Sequence, residues 1–193
     1  MARLRTSFRF YFPIVLMGIL IMFFTGFYPV VRFPEEQIDV EVCPDYIRVK
    51  GTYTYKNPFP FPVSQGFSIP LPVDAELPEP VQLTAMVLAP HEKNILLKYL
   101  LGKHRFNLKF HAREKITVSV AYRQQAPSKK GRYILLSTKA WRKPLNHGLY
   151  RIFLNNVQIT FSNYKLNKAD SYLFFQKENF MPSKDWIFSW ELA

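Results

Sequence analysis

The chain has one cysteine, Cys43, and so closes no internal disulfide. It has no N-x-S/T sequon, because Asn57 is followed by Pro58 and the other asparagines miss the pattern. Both absences favour a bacterial or archaeal envelope over a secreted eukaryotic setting. Glycine is scarce, at 7 against 15 prolines, and no Gly-rich phosphate loop, nucleophile elbow or H-E-x-x-H is present. The nucleotide, α/β-hydrolase and zincin readings therefore have no motif to stand on. Long helical periodicity is also missing outside the N-terminus.

Aromatics are abundant, with 18 Phe and 11 Tyr. The longest hydrophobic run, residues 10–31, contains no charge, and thirteen of its members are Leu, Ile, Val or Phe. As a helix it would be about 33 Å long, matching a hydrocarbon core of about 30 Å. Arg3, Arg5 and Arg9 precede it and only Arg32 closely follows, which predicts a cytoplasmic N-terminus and an extracytoplasmic body. The expected plan is a basic tail at 1–9, an uncleaved anchor at 10–31, a connector at 32–37 and a folded region at 38–193. A cleaved signal peptide is the alternative, but Thr25-Gly26-Phe27 is a poor cleavage site.

The net charge of +12 is uneven. Residues 33–80 carry three basic and eight acidic groups, net −5, whereas residues 81–193 carry 19 basic and six acidic groups, net +13. A basic half outside the cytoplasm favours anionic lipid, anionic glycan or an acidic protein partner over nucleic acid.

Period-two alternation dominates the body. Ile38, Val40 and Val42 share one face, as do Ile47, Val49, Gly51, Tyr53 and Tyr55. Three prolines make 57–62 a stiff connector. Alternating sets follow at Phe67–Leu71 and Val81–Val87. Phe106–Phe110 and Ile116–Val120 are expected to pair as a hairpin across 112–115. Further strands are expected at 133–138, 150–154, 157–163, 171–176 and 186–190. Residues 94–101 read either as a short helix capped by Gly102 or as a buried strand; core packing is favoured over an exposed patch there. The predicted class is all-β: an antiparallel β-sandwich after one transmembrane helix, with a possible subdivision near 126–132.

Gly51-Thr-Tyr-Thr-Tyr-Lys-Asn57, then Phe67-Ser-Ile-Pro-Leu-Pro-Val-Asp-Ala75, resembles the VIT-type β-sandwich module, and Glu114–Arg123 is similar to one of its later strands. The likeness spans residues 38–123 and extends to bacterial extracytoplasmic β domains of the same pattern. It implies a fold. The Asp-x-Ser-x-Ser motif of the adhesion domain that commonly follows is absent, so no adhesion chemistry is implied.

Chemistry-bearing residues are sparse. His104 and His111 have opposite parity, and His91 and His147 lie in loops, so no metal or other cofactor is expected. Cys43 reads as a half-exposed structural thiol. Glu35, Glu36, Asp39, Glu41 and Asp45 read as a solvated, membrane-proximal stalk. The candidate binding surface is Trp141 with Lys139, Arg142 and Lys143, extended by Lys129, Lys130 and Arg132. Trp141 would stack on a sugar or lie at headgroup level; the competing reading plugs it into the core. No catalytic residue stands out. The sequence thus points to a non-catalytic interaction module or accessory subunit of an envelope membrane complex, with an anionic-glycan binder or a membrane-tethered hydrolase as alternatives.

Overall fold

The computed structural model describes residues 29–193. The basic tail with Arg3, Arg5 and Arg9, and the expected anchor as far as residue 28, lie outside the described residues. Among those described, no helix is long and apolar enough to cross a membrane.

The body is built from strands β1 (Arg32–Val42), β2 (Tyr46–Lys56), β3 (Val63–Ile69), β4 (Val81–Ala89), β5 (Lys93–Asn94), β6 (Lys98–Leu100), β7 (Lys103–Phe110), β8 (Lys115–Gln125), β9 (Lys130–Tyr133), β10 (Leu145–Leu154), β11 (Val157–Ser162), β12 (Asn167–Lys168), β13 (Leu173–Phe180) and β14 (Trp186–Leu192). A 3-10 turn, Leu136–Trp141, lies between β9 and β10. One large sheet runs β12-β13-β10-β1-β2-β8-β4-β5, and two small sheets run β11-β14-β9 and β3-β7-β6. Among the described residues all pairings are antiparallel except β1 with β10.

In-register neighbours point to the same side of a sheet. Ile38 lies opposite Gly51 and Val40 opposite Val49; Val49 lies opposite Tyr122, Gly51 opposite Val120 and Tyr53 opposite Val118. These residues form one continuous inner face, and the two small sheets cover it side by side. Over one part, Ile38, Val40, Ile47, Tyr150 and Ile152 meet Trp186, Phe188 and Trp190 of β14. Over the other, Tyr55, Ile116, Val118 and Val120 meet Phe67, Phe106 and Phe110 of β3 and β7. Tyr53, Leu71, Leu83 and Phe180 touch both cores.

Several expectations are corrected. Residues 32–37 are no connector: β1 begins at Arg32 and becomes a central strand. The end of the expected anchor belongs to the body, since Val31 is buried and Val30 packs on the core. β7 and β8 are not a hairpin, because β7 pairs with β3 and β6 while β8 pairs with β2 and β4. Residues 111–114 instead turn a corner between sheets, closed by the His111 N–H on Glu114 Oε2 at 2.6 Å. Of the strand expected at 133–138 only Tyr133 is extended, ending β9, and the 3-10 turn follows from Leu136. Cys43 is fully buried and free. Residues 94–101 form neither a helix nor a core strand: Leu96, Tyr99, Leu100 and Leu101 are exposed.

Candidate functional site

Where the two small sheets meet over the large one they leave a cleft of about 780 Å³. Phe33 and Glu36 of β1 and Tyr53 and Tyr55 of β2 lie on the large-sheet side. Residues 65–69 of β3 form one wall, and Tyr133, Ile134 and the 3-10 turn with Ser137, Ala140 and Trp141 form the other. Pro29, Glu79, Lys103 and His104 complete the lining.

Glu36 has the parity of Ile38, Val40 and Val42, so it points inward with them and is only 5% exposed. The Tyr133 hydroxyl donates to Glu36 Oε1 at 2.8 Å and the Tyr150 hydroxyl to Oε2 at 2.7 Å. The Tyr53 and Tyr133 hydroxyls are 2.9 Å apart. An ionised carboxylate only accepts, so Tyr133 spends its hydrogen on Glu36 and accepts in turn from Tyr53. Protonation at Oε1 would reverse that arm, with Glu36 donating to Tyr133 and Tyr133 to Tyr53. The carboxyl is poised for such a change. Burial pushes its pKa up from 4.5 to about 7, and the bonds from Tyr150 and Tyr133 oppose the rise. Burial and the negative charge on Glu36 hold the Tyr53, Tyr133 and Tyr150 phenols well above their usual range.

Two glycines seat these rings. On β2, a Cβ at Gly51 would lie 2.1 Å from the Tyr53 oxygen; on β10, a Cβ at Gly148 would lie 2.8 Å from the Tyr150 oxygen. Each tyrosine lies back along its own strand over the glycine two residues earlier. Gly148 also stands directly opposite Glu36 across the β1–β10 pair.

The aromatic part of the site is Phe33, Tyr55, Phe67 and Trp141. Phe33 stacks on Tyr55 at 5.1 Å between centroids, and Trp141 lies 5.4 Å from each. Phe67 lies 4.5 Å from Tyr55 and 6.0 Å from Trp141. Flat π-faces beside a buried carboxyl suit a ligand with a planar or apolar body and one hydrogen-bonding or cationic group.

Of the expected binding surface, Trp141 reaches the cleft as a half-buried wall residue. Lys139, Arg142 and Lys143 are exposed beside it, on the turn and just after it. Lys129 pairs with Asp45, Lys130 with Glu76 and Arg132 with Asp74, so acidic partners offset these three cations. The acidic group is not a solvated stalk. Glu36 is buried, while Asp39 pairs with Arg151, Glu41 with Arg48 and Glu35 with Lys115 on or beside the large sheet. His104 lies 3.6 Å from Glu79 and His147 3.6 Å from Glu178. Among the described residues, no three His, Cys, Asp or Glu side chains converge on a metal-sized site. The residue that sequence reading missed is Glu36, and its parity with Ile38 was the available signal.

The fold has a solved counterpart. A Legionella pneumophila protein described as a "putative nutrient binding protein" matches with a TM-score of 0.66 at 11% identity, over 84% of this chain and 67% of its own. A zinc metallopeptidase of the M1 class from Deinococcus radiodurans matches with a TM-score of 0.43 at 8% identity, over 83% of this chain and 42% of the peptidase. The chain thus spans less than half of the peptidase. No family model and no curated protein matches.

Proposed function

We propose that this chain is a membrane-anchored, extracytoplasmic binding module that takes a small ligand in the cleft beside Glu36. The observation that carries the reading is the cleft itself: about 780 Å³, aromatic on one side and holding one buried, hydrogen-bonded carboxyl. Small-molecule sites span about 300–1,000 Å³ and combine apolar walls with a few placed polar groups. The description of the Legionella protein agrees with a binding role. The uncharged run before the body and the three arginines ahead of it support an N-terminus in the cytoplasm and a place for the module in an envelope membrane complex.

A second reading, an anionic-glycan binder, is favoured by the exposed Lys139, Arg142 and Lys143 beside Trp141. Its binding would weaken steeply with salt, whereas binding inside the cleft would not.

The test is a thermal-shift and tryptophan-fluorescence screen of the full chain against amines, quaternary ammonium compounds, neutral and anionic sugars, and amphiphiles. Trp186 and Trp190 are buried at 0% and 3%, so Trp141 is the tryptophan placed to report. We expect one class to raise the melting temperature and change the emission. Glu36→Gln, which keeps the shape, should weaken that ligand about tenfold or more, equivalent to about 1.4 kcal/mol. A screen with no responding class, or equal binding to Glu36→Gln, would refute the reading.

A further inference from the structure

The segment between β5 and β7 divides its side chains in an unusual way. Ile95 and Leu97 pack on the core, while Leu96 is 80% exposed and Tyr99, Leu100 and Leu101 are 64%, 55% and 82% exposed. Four large apolar side chains within six residues are left in water around one hairpin tip, a feature that marks an interaction surface; Tyr99, beside His104, and Leu100, beside Lys103, stand on its two opposite sides. The turn joining β6 to β7 adds a separate observation. Leu100 pairs with Lys103 across a two-residue loop in which Leu101 and Gly102 both have positive φ, +53° and +70°. Such a loop selects Asn, Asp or Gly at its first position, because a Cβ is strained there. Here the strained and most exposed place holds a leucine, a choice that neither the turn nor the core explains.

The charges around the patch name its occupant. Lys93, Lys98 and Lys103 are exposed along the segment and Arg105 follows; Glu92, with Glu79 on the neighbouring rim, is the acidic counterpart. Cations around exposed leucines and a tyrosine are the pattern of a surface that dips into an anionic leaflet, with apolar tips below the headgroups and ammonium groups among them. The placement agrees. The Val30 N–H donates to Gln65 Oε1 of β3 at 2.8 Å, so the uncharged N-terminal run joins the body at the small sheet containing β6 and β7. Pro29, Gly102 of the turn, and Lys103 and His104 at the start of β7 line the same cleft. The β6–β7 turn, with Leu101 next to Gly102, therefore borders the same cleft as the end of the N-terminal run.

We infer that the β5–β7 loop, through Leu96, Tyr99, Leu100 and Leu101, is a second membrane contact that seats the cleft rim on an anionic leaflet beside the anchor. This rests on the anchored reading above. It makes the module lie down on the bilayer instead of swinging from one tether.

The full chain is reconstituted in vesicles of phosphatidylcholine and phosphatidylglycerol, carrying an environment-sensitive fluorophore on Leu101→Cys, on Leu96→Cys or, as a remote reference, on Gln158→Cys of β11. The native Cys43 is 1% exposed and takes little label. Emission at Leu101 and Leu96 should shift to the blue. Lipids brominated near the headgroup should quench it several-fold more than at Gln158, and Lys98→Glu should reduce both effects. Vesicle flotation of the chain without quenching at either site overturns the inference and leaves the anchored reading intact. Failure to float overturns both. Excimer emission from pyrene at Leu101, without quenching by lipid, assigns the patch to a second copy and also overturns the inference.

Discussion

The Tyr150 hydroxyl reaches Glu36 Oε2 at 2.7 Å because Gly148, two residues earlier on β10, has no side chain beneath the ring. Gly148→Ala would put a Cβ 2.8 Å from the phenol oxygen and 2.9 Å from Cε2, so the ring must swing and the bond to Glu36 breaks. A loss of about 2–3 kcal/mol is expected from overpacking and the lost bond together. Gly51→Ala should do the same through Tyr53, where the overlap is tighter at 2.1 Å. Urea denaturation measures both. Variants as stable as the parent would mean that the glycines do not seat the rings.

Glu36 should make the protein less stable as pH rises. Its folded pKa, about 7, lies above the unfolded 4.5, so between these values the folded state holds more protons than the unfolded. The stability it supplies is complete below pH 4.5 and lost as pH climbs through 7, by up to about 3 kcal/mol for a shift of this size. In Glu36→Gln the amide accepts from one phenol and donates to the other. The difference in unfolding free energy between parent and variant should therefore change by a few kcal/mol between pH 4.5 and 8, in the variant's favour at the alkaline end. Parallel pH profiles would remove Glu36 as a buried titrating group.

Asn57 closes the corner between β2 and β3. Its side chain is fully buried; Nδ2 donates to the Phe61 and His111 carbonyls, both at 2.8 Å, and Oδ1 accepts from the Phe59 N–H at 2.9 Å. Asn57→Ala strands three backbone groups and should cost about 3 kcal/mol. Asn57→Asp should be at least as damaging, because a carboxylate would face two carbonyl oxygens that need donors. An Asp variant near parental stability in denaturant titrations would show that this bonding pattern is wrong.

On the outer face, Arg151 holds Asp39 through two bonds, both at 2.7 Å, across the parallel pair of β1 and β10. Both side chains are about a quarter exposed, which leaves them screened by solvent. A double-mutant cycle with Asp39→Asn and Arg151→Met should give a coupling of about 1 kcal/mol that shrinks at high salt. A coupling near zero at low salt would reduce the pair to decoration.

The strands of the large sheet were legible because their alternation is clean: Ile47, Val49, Gly51, Tyr53 and Tyr55 all turn inward as the pattern requires. Trp186, Phe188 and Trp190 likewise share a buried face. Pairing was less legible. Phe106–Phe110 and Ile116–Val120 are separated by one short link, yet they belong to different sheets, and nothing local distinguishes a hairpin from a corner. Glu36 was hidden by its company. Glu35, Asp39 and Glu41 surround it, and only parity separates it from those surface charges. The exposed leucines misled for the opposite reason: leucine density is a burial signal, yet Leu96, Leu100 and Leu101 face water on a hairpin that edges the small sheet. Trp141 drew notice by its type, but the cleft it lines is built with β1, β2 and β3, far away in sequence.

Glu36 is kept from water at the cleft where a ligand is proposed to bind. Glutamate side chains labelled with carbon-13 at Cδ, followed by NMR across pH 3 to 9 in the full chain and in Glu36→Gln, test that directly. One resonance should titrate near pH 7 and vanish from the Glu36→Gln spectrum. Ligands found in the screen should shift that resonance. If every glutamate titrates in the usual carboxylate range near 4.5, the buried carboxyl and the site built on it are both contradicted.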